Sequence, residues 1–420
     1  MSALSFLRSL DAKSLILLFW YTTLLEIPRY VIGALVTTAI VLWWRPVRAA
    51  ASDLTLSVVL VGHNEQRPLR ACVEALAEQT VLADGGVMQV VVVDDGSTDR
   101  MTDVARALQR EGKIDTLLRL EHRSGKSAGV NLGLSACRGD IVIIADVDTT
   151  FDRDAFAEML AYFADPSVGA VSGNIGVRNL SASLMTRVQG IEYAIGFSLG
   201  RRVADALGIL SIVSGAFGAF RRNAIEQVGR QDVEVGEDAD LTMKLRRAGW
   251  RIRFAPEANA LTIVPETVAT LIAQRLRWDR GLVTIWLRKF RGAFDPREST
   301  FRLLNMLSVV DVLVFQVVLA LAFPGYLVWL YYYFGNFAIT IIGATLLGYA
   351  AINLLAFFAA AAVGLQTPFR LVLYLPLYTV LHITVMRAVR LFAIIQEIVL
   401  RSSYRDLYVP SHVMRQVDMV

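Results

Sequence analysis

Between Asp311 and Arg370 the chain carries no charged residue, and that stretch constrains the fold more than any other. At about 20 residues per crossing it is long enough for two membrane spans. Ser52 to Thr300 is the opposite: charge-rich and patterned like a soluble protein. Its length, roughly 250 residues, is ample for one large α/β core. The composition agrees with a mixed architecture, since 55% hydrophobic and 19% charged residues are too apolar for an ordinary soluble chain and too polar for a purely membrane one.

After Arg302, apolar stretches at Leu303–Leu330, Phe337–Leu365 and Leu371–Ile395 predict three spans. With a parity of three the C-terminal tail would lie outside, yet its arginines point inside, so the stretch around Arg387 and Arg390 is also open to an interfacial reading. Asp311, Asn353, Arg387 and Arg390 are candidates to line a water-filled path, because polar groups at membrane depth seldom face lipid. The run "WLYYYF", Trp329 to Phe334, reads as an interface belt, with the lining of a channel as the alternative. Near the N-terminus, Ser14–Trp44 is apolar but interrupted by "EIPR" at Glu26–Arg29. That predicts an interfacial or re-entrant segment followed by one span, Tyr30–Trp44. A weak charged n-region and no small-residue cleavage site argue against a cleaved signal peptide.

The formal charge of +4 is modest and forms no nucleic-acid patch. Basic residues gather at the membrane flanks instead (Arg45, Arg48, Arg288, Lys289, Arg291, Arg297, Arg302), which places the soluble domain on the cytoplasmic side of a cell membrane. Two cysteines, Cys72 and Cys137, suggest neither a disulfide framework nor a cysteine zinc site. The expected organisation is an N-terminal membrane segment (1–50), a catalytic-type domain (51–265), amphipathic interfacial helices (266–302), a membrane bundle (303–400) and a short tail (401–420).

Within the soluble part, "LSVVLVGHNE", "MQVVVVDDGSTD" and "DIVIIADVDTT" each read as strand then turn, with helix-like stretches between them. Apolar strands alternating with helices predict a parallel sheet covered on both faces. Ligands of such sheets bind at the carboxyl ends of the strands, and the acids sit there: Asn64 and Glu65, Asp94 and Asp95, Asp146 and Asp148. Acids after strands are also ordinary turn and cap residues. For "ADVD", two carboxylates two residues apart can share a hard cation with a diphosphate, and Mg²⁺ or Mn²⁺ suits oxygen ligands. No G-x-G-x-x-G follows the first strand, and "HRSGKSAGVNLGL" lacks Walker A spacing, although Lys126 can reach a phosphate or base from that loop.

The ordered series "VGHNE", "VVDDGSTD", "SGKSAGVNLGL", "ADVDTTFD", "SGAFGAFRR", "GEDADLTMKLRRAGW" and "QRLRW" resembles the family 2 inverting glycosyltransferases, and its last motif resembles the processive membrane synthases of hyaluronan, chitin, cellulose and poly-N-acetylglucosamine. The resemblance implies an α/β GT-A-type (Rossmann-like) domain inserted between transmembrane helices. It implies transfer of sugar from a UDP-sugar, with inversion, to a growing β-linked polysaccharide that is exported through a multi-pass bundle. It assigns Asp148 to Mg²⁺ or Mn²⁺, Asp146 to metal and nucleotide, Asp94 and Asp95 to the nucleoside, and Asn64 and Glu65 to the pocket frame. Asp238, with Glu237, becomes the candidate base; the usual threonine before this pair is Gly236 here. Ser214 and Gly215 resemble an acceptor-side loop. On a helix from Val268 to Trp278, Gln274, Arg277 and Trp278 share one face, with Arg277 for the diphosphate and Trp278 for the acceptor sugar. Val268, Ile272 and Leu276 are expected on the buried side, and Arg275 receives no role. Two rivals remain: transfer of one sugar to a lipid carrier, and an inactive transferase-like scaffold or transporter.

Overall fold

The structure is a computed structural model, and it describes all residues except 1–2, 21, 44–53, 84–85, 299–300, 364–367, 406–409, 411–412 and 414–420. Eight strands form one sheet: β1 (Leu56–Gly62), β2 (Met88–Asp95), β3 (Thr116–Leu120), β4 (Ile141–Asp146), β5 (Thr150–Phe151), β6 (Val168–Val177), β7 (Phe217–Arg221) and β8 (Arg251–Thr262). Their order is β3-β2-β1-β4-β7-β6-β8-β5. The first four are parallel, as the alternating strands and helices predict. Their apolar runs are continuous because both faces are covered: Val58, Leu60, Val90, Val92, Ile141 and Ile143 enter one core, while Val59, Val91, Val93, Val142 and Ile144 enter the other.

The sheet is mixed rather than wholly parallel, since β7 runs antiparallel to both β4 and β6. Half of "SGAFGAFRR" is therefore a central strand, and only Ser214 to Ala216 form the turn before it. The antiparallel sense matters for the site. It sets Phe217, at the start of β7, opposite Ala145 near the end of β4, so the Ser214–Gly215 turn arrives at the same rim as Asp146.

The "EIPR" interruption does not break the N-terminal helix. Residues Thr22–Ile32 are π-wound and run directly into the α-helix Gly33–Trp43, with Pro28 held inside. The wider winding accommodates the missing N–H of proline. Its charged neighbours are partnered: Arg29 forms a two-point ion pair with Asp311 at 2.5 Å, and Glu26 accepts from Arg387 at 2.9 Å and from the Tyr349 hydroxyl. Asn353 donates to Thr379 at 3.0 Å, and Arg390 pairs with Asp279 at 2.9 Å. The polar residues expected along a water path thus tie helices to one another.

Among the described residues one helical run, Leu303–Ala362, is long and apolar enough to cross a membrane. It folds back at Gly335, where φ is 52° and ψ is −133°. Leu330 and Ala338 on either side of the fold share one apolar cluster, and Leu319 and Tyr349 share another. Separate crossings at Tyr30–Trp44 and Leu371–Ile395 do not meet that standard, and Trp44 and most of the tail after Arg405 lie outside the described residues. Many large apolar side chains of the bundle face outward, among them Val328, Tyr331, Tyr332, Ile339 and Val399.

Candidate active site

The site is assembled at the rim where β1, β2 and β4 end and β7 begins. Asp95, the last residue of β2, is buried, and its two carboxylate oxygens accept from the backbone N–H groups of Ser124 (2.6 Å) and Gly125 (2.9 Å). Those bonds fix the loop from which the helix Lys126–Ala136 begins. Asn64, with φ of 61°, accepts at Oδ1 from the N–H of Thr98 (2.8 Å) and of Asp99 (3.2 Å). His63 donates through Nδ1 to the Asp95 carbonyl at 2.8 Å, the one role a carbonyl partner allows.

Asp94 does not reach the rim. It has no exposed surface, accepts from the Ser97 N–H at 2.8 Å and from the Thr102 hydroxyl, and faces the Arg119 guanidinium at 3.8 Å. Its carboxylate holds the "DDGSTD" turn, so the nucleoside contact expected of it is corrected to a turn-forming role.

Lys126 is the centre of the cleft. Its ammonium pairs with Asp146 and donates to the Gly215 carbonyl at 3.1 Å. Gly215 is small because of this crowding: a Cβ there would lie 3.1 Å from Lys126 Nζ and 3.6 Å from Asp238 Cβ. One glycine therefore separates the lysine from Asp238. Asp148 accepts from the hydroxyls of Thr262 (3.0 Å) and Thr149 (3.3 Å). Burial, then the charge of Asp146, pushes its pKa up to about 6. Glu65 is pushed up to about 7 by burial and then by Asp148, Asp146 and Asp99. Three carboxylates thus repel one another at this end, with Lys126 between two sides of the cleft.

That excess of negative charge fits a hard divalent cation, which oxygen ligands of this kind bind. Among the described residues no three acidic, histidine or cysteine groups enclose an ion by themselves. A cation here would need further oxygens, such as those of a diphosphate.

Asp238 and Glu237 open the helix Glu237–Arg247 after Gly236, whose φ of 98° and ψ of 40° are left-handed. A side chain at 236 would be strained there, and its Cβ would meet Ile285 at 3.0 Å, which accounts for glycine where the resembled motif has threonine. Asp238 Oδ1 accepts from the Ala239 N–H at 2.8 Å. Glu237 is buried; burial raises its pKa, Lys126 lowers it, Asp238 raises it and Arg277 lowers it.

The helix Val268–Val283 has a different buried stripe from the expected one. Leu271, Arg275, Asp279 and Val283 are buried, whereas Val268 is exposed and Ile272 and Leu276 are half-buried. Arg275 is the anchor: it pairs with Glu192 at 2.7 Å and lies 4.1 Å from the centre of the Trp278 ring. Apolarity alone gave the wrong phase because ion pairs occupy the buried face. Arg277 acts on Glu237, and Trp278 is packed beside Phe197 at 6.0 Å. Gln274 Oε1 is buried with no hydrogen-bond partner among the described residues.

One site residue was missed altogether. Arg201, in the helix Gly200–Ala206, donates to Ser172 Oγ at 3.3 Å and is in electrostatic range of Asp238. No motif flags it, because it meets the Ser214 turn only through Ser172 on β6.

Comparison with known proteins agrees with this geometry. Residues 57–229 match the family model "Glycosyl transferase family 2". The poly-beta-1,6-N-acetyl-D-glucosamine synthase of Staphylococcus aureus (strain COL) is 31% identical over 233 residues, covering 55% of this chain and 56% of that protein. The synthase of the same name from Staphylococcus epidermidis is 29% identical, covering 53% and 54%. The chain is thus matched over about half the length of these relatives. In fold it is similar to the mannosyltransferase PcManGT from Pyrobaculum calidifontis, solved in complex with GDP-Man and Mn²⁺, with a TM-score of 0.60, 21% identity and coverage of 89% of this chain and 96% of that one. The strand order, the acid-lined rim and these likenesses meet in one conclusion: the chain has a GT-A-like α/β fold, and its residues 57–229 form a glycosyl transferase family 2 domain.

Proposed function

We propose that the protein is a membrane-embedded polysaccharide synthase that moves a sugar from a UDP-sugar, with inversion, to the end of a β-linked glycan and passes the product through its own helices. The observation that carries this reading is the contact of Lys126 with both Asp146 and Gly215, with Asp238 on the far side of that glycine. It supports reading Asp146 as the donor-side carboxylate and Asp238 as the acceptor-side one, on either side of Gly215 and the Lys126 ammonium. The 31% identity to a polysaccharide synthase and the outward-facing apolar bundle side chains support the polymer and the membrane.

In the transfer, the bond from the anomeric carbon to the diphosphate breaks as the acceptor oxygen bonds to the opposite face of that carbon. Asp238 receives the proton from the acceptor hydroxyl, a role worth on the order of 10²- to 10⁴-fold. Lys126 and Arg277 meet the negative charge that collects on the departing diphosphate. Asp146 and Asp148 would hold Mg²⁺ or Mn²⁺, whose positive charge would stabilise the same leaving group. Asp95 and Asn64 keep the loops around the nucleoside in place, and Trp278 offers a face on which an acceptor sugar stacks. Thr262 and Thr149 orient Asp148.

The purified protein in lipid, incubated with a panel of nucleotide-sugars and Mg²⁺ or Mn²⁺, is expected to release UDP and form polymer resolved on a sizing gel. Asp238→Asn is expected to abolish both. Discrete, singly glycosylated lipid as sole product would overturn the polymer reading, and no nucleotide-sugar turnover would favour an inactive scaffold.

A further inference from the structure

The turn that carries Ser214 and Gly215 hangs between two hydroxyls. On one side the Val213 N–H donates to Thr242 Oγ1 at 2.9 Å, and Thr242 donates in turn to the Asp238 carbonyl at 2.6 Å. On the other side the Ser214 N–H donates to Ser172 Oγ at 3.3 Å. Ser172 lies on β6 and is fully buried. Its hydroxyl accepts a second bond from Arg201 Nη1 and donates to the Gly173 carbonyl, each at 3.3 Å. That uses its one donor and both acceptor positions, so Ser172 has a single way to sit while Arg201 is in place.

Arg201 is itself held. Its guanidinium lies 5.2 Å from the centre of the Phe197 ring, and Phe197 packs against Trp278. Burial lowers its pKa to about 10, while Asp238 and Tyr193 work the other way, and it stays charged at neutral pH. Arg201 is half-buried, and the carboxylate in electrostatic range of its charge is the candidate base, Asp238.

We propose that Arg201 is a positioning residue of the transfer site: through Ser172 it fixes the Ser214–Gly215 turn against Lys126 and Asp238, and its guanidinium supplies a fixed positive charge on the acceptor side of the cleft. The inference rests on the reading of Asp238 as base. Lys126 serves the donor side, where it pairs with Asp146. Arg201 instead bonds to Ser172, in the helix Gly200–Ala206 that directly follows the π-wound segment Tyr193–Leu199, from which Phe197 meets Trp278. Its loss would leave donor contacts in place and loosen the turn across which Lys126 and Asp238 face each other.

The test uses the full chain in lipid bilayer discs, with UDP release under saturating Mn²⁺ as the activity readout and UDP binding as the check on folding. Arg201→Met is expected to lower kcat by about 10- to 100-fold, with donor KM and UDP affinity within about twofold of the parent. Arg201→Lys, which keeps the charge, is expected to recover most of the loss, and Ser172→Ala to fall between. A parental kcat for Arg201→Met overturns the proposal. So does a loss in which UDP binding falls in step and Arg201→Lys recovers nothing, since that is the behaviour of a purely structural residue. Asp238→Asn separates the two readings. If it retains parental turnover, the base assignment and the inference that rests on it both fall. If it is inactive while Arg201→Met is unaffected, only the Arg201 inference falls.

Discussion

The ammonium of Lys126 is ion-paired with the Asp146 carboxylate at the mouth of β4. On the proposed function, the donor diphosphate would have to share or displace that ammonium. Lys126→Met is expected to reduce kcat by about 10²-fold, the scale of removing one charge-stabilising donor. Mn²⁺ affinity is expected to be kept or increased, because the competing cation has left Asp146. Calorimetric titration of Mn²⁺ beside steady-state UDP release checks both parts.

With Glu65 at about 7 and Asp148 at about 6, the proposed cation binding would be proton-linked. Both values lie above the ordinary carboxylate range, so the metal-free folded protein holds more protons than the unfolded chain through that window. The contribution of these groups to stability is therefore present at low pH and lost as pH rises through 6 to 7. Cation binding runs the other way: Mn²⁺ affinity is expected to fall as pH drops from 8 to 6, with Glu65→Gln flattening that dependence. Titrations at the two pH values decide it.

Gly215→Ala tests the narrowness of the cleft. The added methyl would sit 3.1 Å from Lys126 Nζ, a flexible end that can give way, so the protein is expected to fold normally and lose turnover by about 10-fold. Gly173→Ala makes a contrast, since its Cβ would fall 2.1 Å from the Phe217 ring. That overpacks the core, and about 1–3 kcal/mol of stability is expected to be lost, read as a lower unfolding temperature.

Arg275→Ala removes one partner of a buried pair and leaves Glu192 without its guanidinium. A loss of about 3 kcal/mol is expected. Trp278, over which the guanidinium lies, is expected to become more accessible to a fluorescence quencher. Arg275→Ala with Glu192→Gln together is expected to be milder than the single change, because the stranded charge is gone.

The local chemistry of this chain was legible where a strand ended in an acid. The rim of Asp95, Asp146 and Asp148 followed from apolar runs stopping at polar turns, and the two-faced burial of β1, β2 and β4 followed from their continuous valines and isoleucines. Asp94 was misplaced because adjacent strand residues face opposite ways, so only one of two neighbouring aspartates can reach the rim. β7 was hidden because "AFGAFRR" is too short and glycine-bearing to display a period. The phase of Val268–Val283 failed for another reason: hydrophobicity locates a buried face only when burial is apolar, and here Arg275 and Asp279 are buried by pairing. Glu26 and Arg29 looked like a break for the same cause, their partners Arg387 and Asp311 being far away in the chain.

Arg275 and Asp279 stand one turn apart on one face of their helix, about 6 Å along its axis, and pair with two different helices: Arg275 with Glu192 at the end of Leu184–Glu192, and Asp279 with Arg390 in Arg387–Leu400. A single turn of this helix thus clasps two others through opposite charges, so three helices that are distant in the chain share one short length of backbone as their common fastening.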